Sequence, residues 1–219
     1  MKLFLFAMLF ITEMFCDSPQ NNTVKLDKDF FLLGTLDEYQ GRYKREPKDV
    51  FVDMYYPYEG FVVRILDSLF REDYPDLDLE IEPSGHKNLH SQKLAYKVNK
   101  YFGIEGEKEK RIEGLATGAK LEKNIFKTDE QRYSYLAGVF LRYGIVIDGN
   151  FKIKFANSAG KVEVCKVLFE ELGYTDVKFE CVNNIPVSNV FSFTPKGELK
   201  TYILYAIELR DSFLPAGEV

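Results

Sequence analysis

The 219-residue chain has no tryptophan, only three cysteines (Cys16, Cys165, Cys181) and only two histidines (His86, His90). Three scattered thiols are too few for a disulfide framework or a zinc site. Two imidazoles cannot build a multi-histidine metal centre alone. A basic excess is also missing: 29 Lys and Arg face 34 Asp and Glu, for a net charge of −5. That excludes a generically basic nucleic-acid coat, because such binding rests on cations neutralising phosphates. No glycine-rich phosphate loop is present, since Gly103 to Gly114 lacks the Gly-Lys-Ser/Thr ending. No Ser-His-Asp or Cys-His set has recognisable spacing. His86 and His90 read as solvated residues of a hairpin loop, and Cys165 and Cys181 as core thiols.

What is present is a core. Apolar residues make up 46% of the chain, with 19 Phe and 14 Tyr. This is too apolar and too aromatic for a disordered acidic tail, and the length suits one large domain or two fused small ones. At the N-terminus, Lys2 precedes a nine-residue apolar run from Leu3 to Ile11. The run is too short to span a bilayer, so no integral membrane role is expected. Residues 1–27 read as an apolar segment packed on the domain, in a cytoplasmic protein. The alternative is a signal peptide of a secreted protein, for which Glu13, Met14 and Cys16 make a poor cleavage region. Only in that case do the Asn21-Asn22-Thr23 sequon and a Cys165–Cys181 bridge become relevant.

The chain repeats itself. Phe30 to Tyr39 is followed by the strand-like VFVDMYY (Val50 to Tyr56) and the helical GFVVRILDSLF (Gly60 to Phe70). The alternating LDLEIE (Leu77 to Glu82) and LAYKV (Leu94 to Val98) come next. The second half runs from Tyr133 to Gly144, then FKIKF (Phe151 to Phe155) and the helical KVEVCKVLFEELG (Lys161 to Gly173). VKFEC (Val177 to Cys181) and VFSF (Val190 to Phe193) close the series, before an amphipathic helix over Glu198 to Leu214. The order helix, hairpin, helix, hairpin, helix is shared, with Gly34 and Gly138 in matching places. Phe61, Val62, Ile65, Leu66 and Leu69 recur at helical spacing, as do Val164, Cys165, Leu168, Phe169 and Leu172. Leu77, Leu79 and Ile81 alternate with acids, the pattern of a half-buried strand. The segment 105–132 is charged and glycine-punctuated and reads as a linker between repeats at 28–104 and 133–219.

Leu136-Ala137-Gly138-Val139-Phe140-Leu141-Arg142-Tyr143-Gly144 resembles a LAGLIDADG motif, and Leu32 to Gln40 resembles a weaker copy. The similarity covers roughly residues 28 to 214. Within the superfamily, Tyr135 to Leu141 is most similar to the degenerate LAGLIDADG domain of the sporulation transcription factor WhiA. The resemblance implies an α+β fold of two tandem αββαββα repeats in pseudo-twofold arrangement. Gly34, Ala137 and Gly138 would then let two helices approach closely at the repeat interface. It also implies a carboxylate ending each motif, holding divalent metal for phosphodiester cleavage. This sequence has Tyr39 and Tyr143 at those positions, and a neutral phenol does not replace a carboxylate as an Mg²⁺ ligand. Asp37, Glu38 and Asp148 are the remaining acids near the motifs. Asp37 and Glu38 read as solvated acids on a helix near a loop.

In the nucleases the hairpins form a saddle whose polar face enters the DNA groove, so that face should be basic. Lys152, Lys154 and Lys178 alternate with apolar positions in the second half. In the first half Asp53, Asp78, Glu80 and Glu82 are opposed by Lys93 and Lys97, with His86, Lys87 and His90 nearby. Residues 1–104 carry 13 basic and 17 acidic side chains, net −4; residues 105–219 carry 16 and 17, net −1. The expected protein is therefore a catalytically degenerate monomer, leaning away from an enzyme, that binds DNA or RNA through its β-saddle. No cofactor is expected. Two alternatives stand beside it: an active endonuclease using Mg²⁺, or a module that kept only the fold and binds a protein partner.

Overall fold

The computed structural model describes residues 24–38, 50–103, 119–122, 124–156, 158–183 and 185–214. The apolar N-terminal run, Cys16, the sequon, Tyr39 and the charged stretch of the expected linker lie outside the described residues.

Helix α1 (Lys28–Thr35) starts where the Asp27 side chain accepts from the Asp29 and Phe30 N–H groups, and Leu36 ends it in extended backbone. Strand β1 (Phe51–Tyr55) leads through a 3₁₀ turn (Pro57–Glu59) into α2 (Gly60–Phe70). Then come β2 (Asp78–Ile81), β3 (Lys87–His90) and α3 (Gln92–Asn99). A short hairpin, β4 (Phe102–Gly103) with β5 (Lys120–Leu121), precedes α4 (Asp129–Tyr143). The second set is β6 (Gly144–Ile147), β7 (Asn150–Ala156), α5 (Ala159–Glu171), β8 (Lys178–Val182), β9 (Ser188–Phe193) and α6 (Gly197–Phe213).

The fold is mixed, with antiparallel sheets. The first sheet has the strand order β1-β3-β2, and the second has β6-β7-β9-β8. After its leading helix the first set runs strand, helix, two strands, helix; the second runs the same with one further strand, β6, in front, and β1-β3-β2 has the connectivity of β7-β9-β8. Helices α1 and α4 lie at the centre, Phe31, Leu33, Tyr135, Leu136, Val139 and Phe140 being fully buried. The aromatic wealth of the sequence is spent here: Phe140, Phe151, Phe155, Phe169, Phe191 and Phe193 form a continuous set of edge-on and tilted contacts beneath the second sheet.

Several expectations are corrected. Leu94 to Val98 is part of helix α3, not the partner of β2. Ser91 caps it by accepting from the Leu94 N–H, and Leu94, Ala95 and Val98 bury on one face. The strand paired to β2 is Lys87–His90, so His90 stands on a strand, with Nε2 3.2 Å from Glu80. Of the alternating leucines, only Leu77 is buried. Strand β2 is a sheet edge that leaves Leu79 and Ile81 exposed. Helix α4 begins at Asp129, inside the expected linker, because Thr128 and Gln131 form a reciprocal capping box. Cys181 is exposed on edge strand β8, whereas Cys165 is buried in α5.

Burial pushes the Cys165 thiol up to about 12. The buried thiol therefore stays protonated near neutral pH. Iodoacetamide applied to the native protein, followed by peptide mass spectrometry, is expected to alkylate Cys181 and spare Cys165. Equal labelling would show that the α5 face opens.

Candidate functional site

The junction of α1 and α4 is made by glycine. A Cβ on Gly138 would stand 2.0 Å from the Phe31 carbonyl oxygen, and one on Gly34 2.2 Å from that of Tyr135. Both obstacles are backbone, so no side-chain movement relieves them. Ala137 is fully buried beside Gly138. The two helices touch main chain to main chain, and their C-terminal ends are brought together.

Those ends form a buried floor occupied by two cations. Arg142, in the last turn of α4, has a side chain only 1% exposed. All five of its N–H donors are used. Nε and Nη2 bind the two carboxylate oxygens of Glu59, each at 2.9 Å. Nη1 reaches Asp53 Oδ2 at 2.9 Å and the Thr35 carbonyl at 2.6 Å, and Nη2 also reaches the Met54 carbonyl at 3.0 Å. The guanidinium lies 4.5 Å from the Tyr55 ring centroid. Burial alone would disfavour its charge, but the carboxylates of Asp53 and Glu59 more than offset that and hold its pKa well above the ordinary arginine value.

The second cation is Lys161 of α5, fully buried. Its Nζ donates to the carbonyls of Leu33 and Gly34 at 3.2 and 3.1 Å, and lies 3.2 Å from Glu38 Oε1. A cation at the C-terminal carbonyls of α1 also complements that helix's dipole. Tyr143 completes the floor: its hydroxyl donates to the Leu36 carbonyl at 3.2 Å and its ring packs edge-on against Phe155. Burial first, opposed by Arg142, leaves its pKa well above the ordinary value, so the phenol is neutral.

The candidate acids are therefore dispersed. Glu38 is buried and ion-paired, not solvated, and with Asp37 lies beyond the end of α1. Asp37 is half-buried beside the floor and donates its backbone N–H to Asp53 at 2.7 Å. Asp148 is exposed at the far tip of the β6–β7 hairpin, where it and Gly149 take the left-handed backbone that a two-residue turn requires. Asp53, expected on the hairpin's polar face, points inward to Arg142. Among the described residues no group of three His, Cys, Asp or Glu is arranged to hold a metal ion. Glu38, Asp53 and Glu59 are each ion-paired to a fixed cation, Lys161 or Arg142, rather than converging on one open point.

The lysines separate into two groups. Lys93 is exposed on α3, and Lys97 on the same helix is held by Asp29 at 2.6 Å. Neither joins a sheet. Lys152, Lys154 and Lys178 do share the outward face of the second sheet. Ser192 pairs with Lys152 on one side and with Lys178 on the other, while Val190 pairs with Lys154 and Glu180.

Sequence reasoning passed over Arg142, Lys161 and Glu59. The signals were present. Arg142 is a charge within an otherwise apolar motif, and Lys161 precedes Cys165 by one helical turn on its buried face.

No family model matches this sequence, and no curated protein matches it either. Solved structures of similar shape include those of the homing endonuclease I-DmoI. Its complex with DNA and Ca has 14% identity, TM-score 0.49, and coverage of 79% of this chain and 85% of that one. Its complex with DNA and Mn has 14% identity, TM-score 0.48, and coverage of 85% and 98%. Among the described residues no helix is long and apolar enough to cross a membrane.

Proposed function

We propose that this chain is a catalytically silent, LAGLIDADG-like protein that binds nucleic acid, DNA or RNA, through the exposed face of the sheet β6-β7-β9-β8. The observation that carries the reading is the row Lys152–Ser192–Lys178 across three adjacent strands, with Lys154 one step along. Two strand spacings set these lysines about 10 Å apart, far enough to meet separate phosphates. The matching face of the first sheet bears Asp78, Glu80 and Glu82 and repels phosphate, so the second repeat leads. In a degenerate protein of the kind its motif resembles, such a face serves regulation rather than cutting.

The floor supports that silence. An active endonuclease needs carboxylates converging on Mg²⁺, whereas here Arg142 and Lys161 hold them. Incubation with duplex DNA and structured RNA is expected to leave both intact with Mg²⁺ or Mn²⁺ present. Neither ion is expected to shift the melting temperature. Cutting that requires Mg²⁺ and disappears in Asp37→Ala would overturn the reading in favour of an active enzyme.

A second reading has its own observation. The sheet edges β6 and β8 expose Ile145, Val146, Ile147, Phe179 and Val182, as an edge that pairs with a protein partner would. It predicts no nucleic-acid binding even at low salt.

A further inference from the structure

We infer that the stacked pair Tyr56–Tyr58 is a landing site for an unpaired nucleobase, an inference that rests on the nucleic-acid reading above. The two rings are parallel within 4°, with centroids 5.6 Å apart. Tyr58 is 76% exposed and Tyr56 39%. Tyr56 also touches His86, at 5.3 Å and 54°, which leaves Tyr58 as the outer, solvent-facing member.

The pair is presented rigidly. Pro57 fixes its own φ between the two tyrosines, and the Glu59 N–H donates to the Tyr56 carbonyl at 2.9 Å. The Tyr56 N–H in turn donates to Glu59 Oε2 at 2.8 Å, and that same carboxylate is gripped by Arg142. The aromatic step is thus bolted to the buried floor. A surface ring held this way loses little entropy when a second ring lands on it.

Its surroundings carry both signs of charge. Lys87 Nζ sits on the Pro57 carbonyl at 2.8 Å, and His86 flanks Tyr56. Of the nearby acids, Glu59 is ion-paired with Arg142 and Asp37 is half-buried. Glu82 keeps its charge while accepting from Asn88 and Ser84, so a phosphate would sit on the Lys87 side of the step. Partial burial first, and then the charge of Glu59, hold the Tyr58 phenol above its ordinary pKa, so the ring stays neutral. Bases stack on aromatic side chains with little regard to sequence. A fully paired duplex keeps its bases stacked on one another, so only a loop, a bulge or a single strand can use the step.

The test uses the full chain and three probes carrying one 2-aminopurine: a DNA single strand of about 12 nucleotides, an RNA hairpin loop, and a fully paired DNA duplex. The wild type is expected to quench the probe in the unpaired contexts. Tyr58→Ala weakens binding of the unpaired probes by roughly 5- to 150-fold and leaves the duplex unchanged, while Tyr58→Phe binds like wild type. The DNA and RNA arms tell which strand supplies the base. Unaltered binding of unpaired probes by Tyr58→Ala, or an equal loss on the duplex, overturns the landing site. Wild type that binds the duplex and ignores unpaired probes overturns the landing site alone. Binding of no probe overturns both it and the nucleic-acid reading.

Discussion

Arg142→Met is expected to lower folding stability by about 3–5 kcal/mol, the cost of stranding a buried ion-pair partner. Methionine fills most of the volume, so the loss is electrostatic rather than a cavity. It leaves the carboxylates of Asp53 and Glu59 buried at 3% and 5% exposure without their counter-charge. It also removes the donors on the Thr35 and Met54 carbonyls. A domain of this kind has about 5–15 kcal/mol in total, so a large part of the reserve goes. Urea unfolding measures it, and a second variant isolates the cause. Adding Asp53→Asn and Glu59→Gln to Arg142→Met removes the stranded charges and is expected to recover part of the loss. A loss below about 1 kcal/mol in Arg142→Met would show that the floor is wet and the ion pair screened.

Gly138→Ala is expected to be comparably damaging, by about 3 kcal/mol or more, at or beyond the top of the usual overpacking range. The new methyl meets the Phe31 carbonyl at 2.0 Å with its carbon at 2.9 Å, so α1 and α4 must separate and the floor must open with them. For a chain of this size the melting temperature falls by roughly 6–12 °C. Gly34→Ala strikes the same contact from the other side, against the Tyr135 carbonyl and the Val139 nitrogen. Gly160→Ala is the control. Its nearest neighbour would be Glu38 Oε2 at an ordinary 3.5 Å, and alanine's better helix propensity is worth at most about 1 kcal/mol in its favour. If Gly138→Ala melts like the control, the close approach of the helices is wrong.

The mixed fold was legible because the periodicities of α2, α5 and β7 are carried by residues that really do face one core. Where reading failed, tertiary context had overridden pattern. Leu79 and Ile81 alternate like a half-buried strand, but an edge position leaves them in solvent, which no local pattern encodes. LAYKV, which carries Lys97, is short enough to be read at either period. The Ser91 cap decides for helix. The floor was harder. Glu38 looks like any surface acid until Lys161, more than a hundred residues away, arrives from α5 to bury it. Asp53 reads as a hairpin acid until Arg142 turns it inward. Ion pairs across such sequence distances leave only one-sided traces, such as a charge within an apolar motif.

The most direct test is the salt dependence of nucleic-acid binding. Wild type and Lys152→Ala/Lys154→Ala/Lys178→Ala would be titrated against mixed-sequence duplex DNA and structured RNA from about 20 to 200 mM salt, with and without Mg²⁺. The expected result is salt-sensitive binding without cutting. On duplex DNA the slope of log affinity against log salt should be shallower in the variant by up to about 2.7, three phosphate contacts at about 0.9 each. Identical slopes, or binding by neither protein at the lowest salt, would contradict the assignment of this sheet face to nucleic acid. Mg²⁺-dependent cutting would contradict the account of a floor whose carboxylates are held by Arg142 and Lys161.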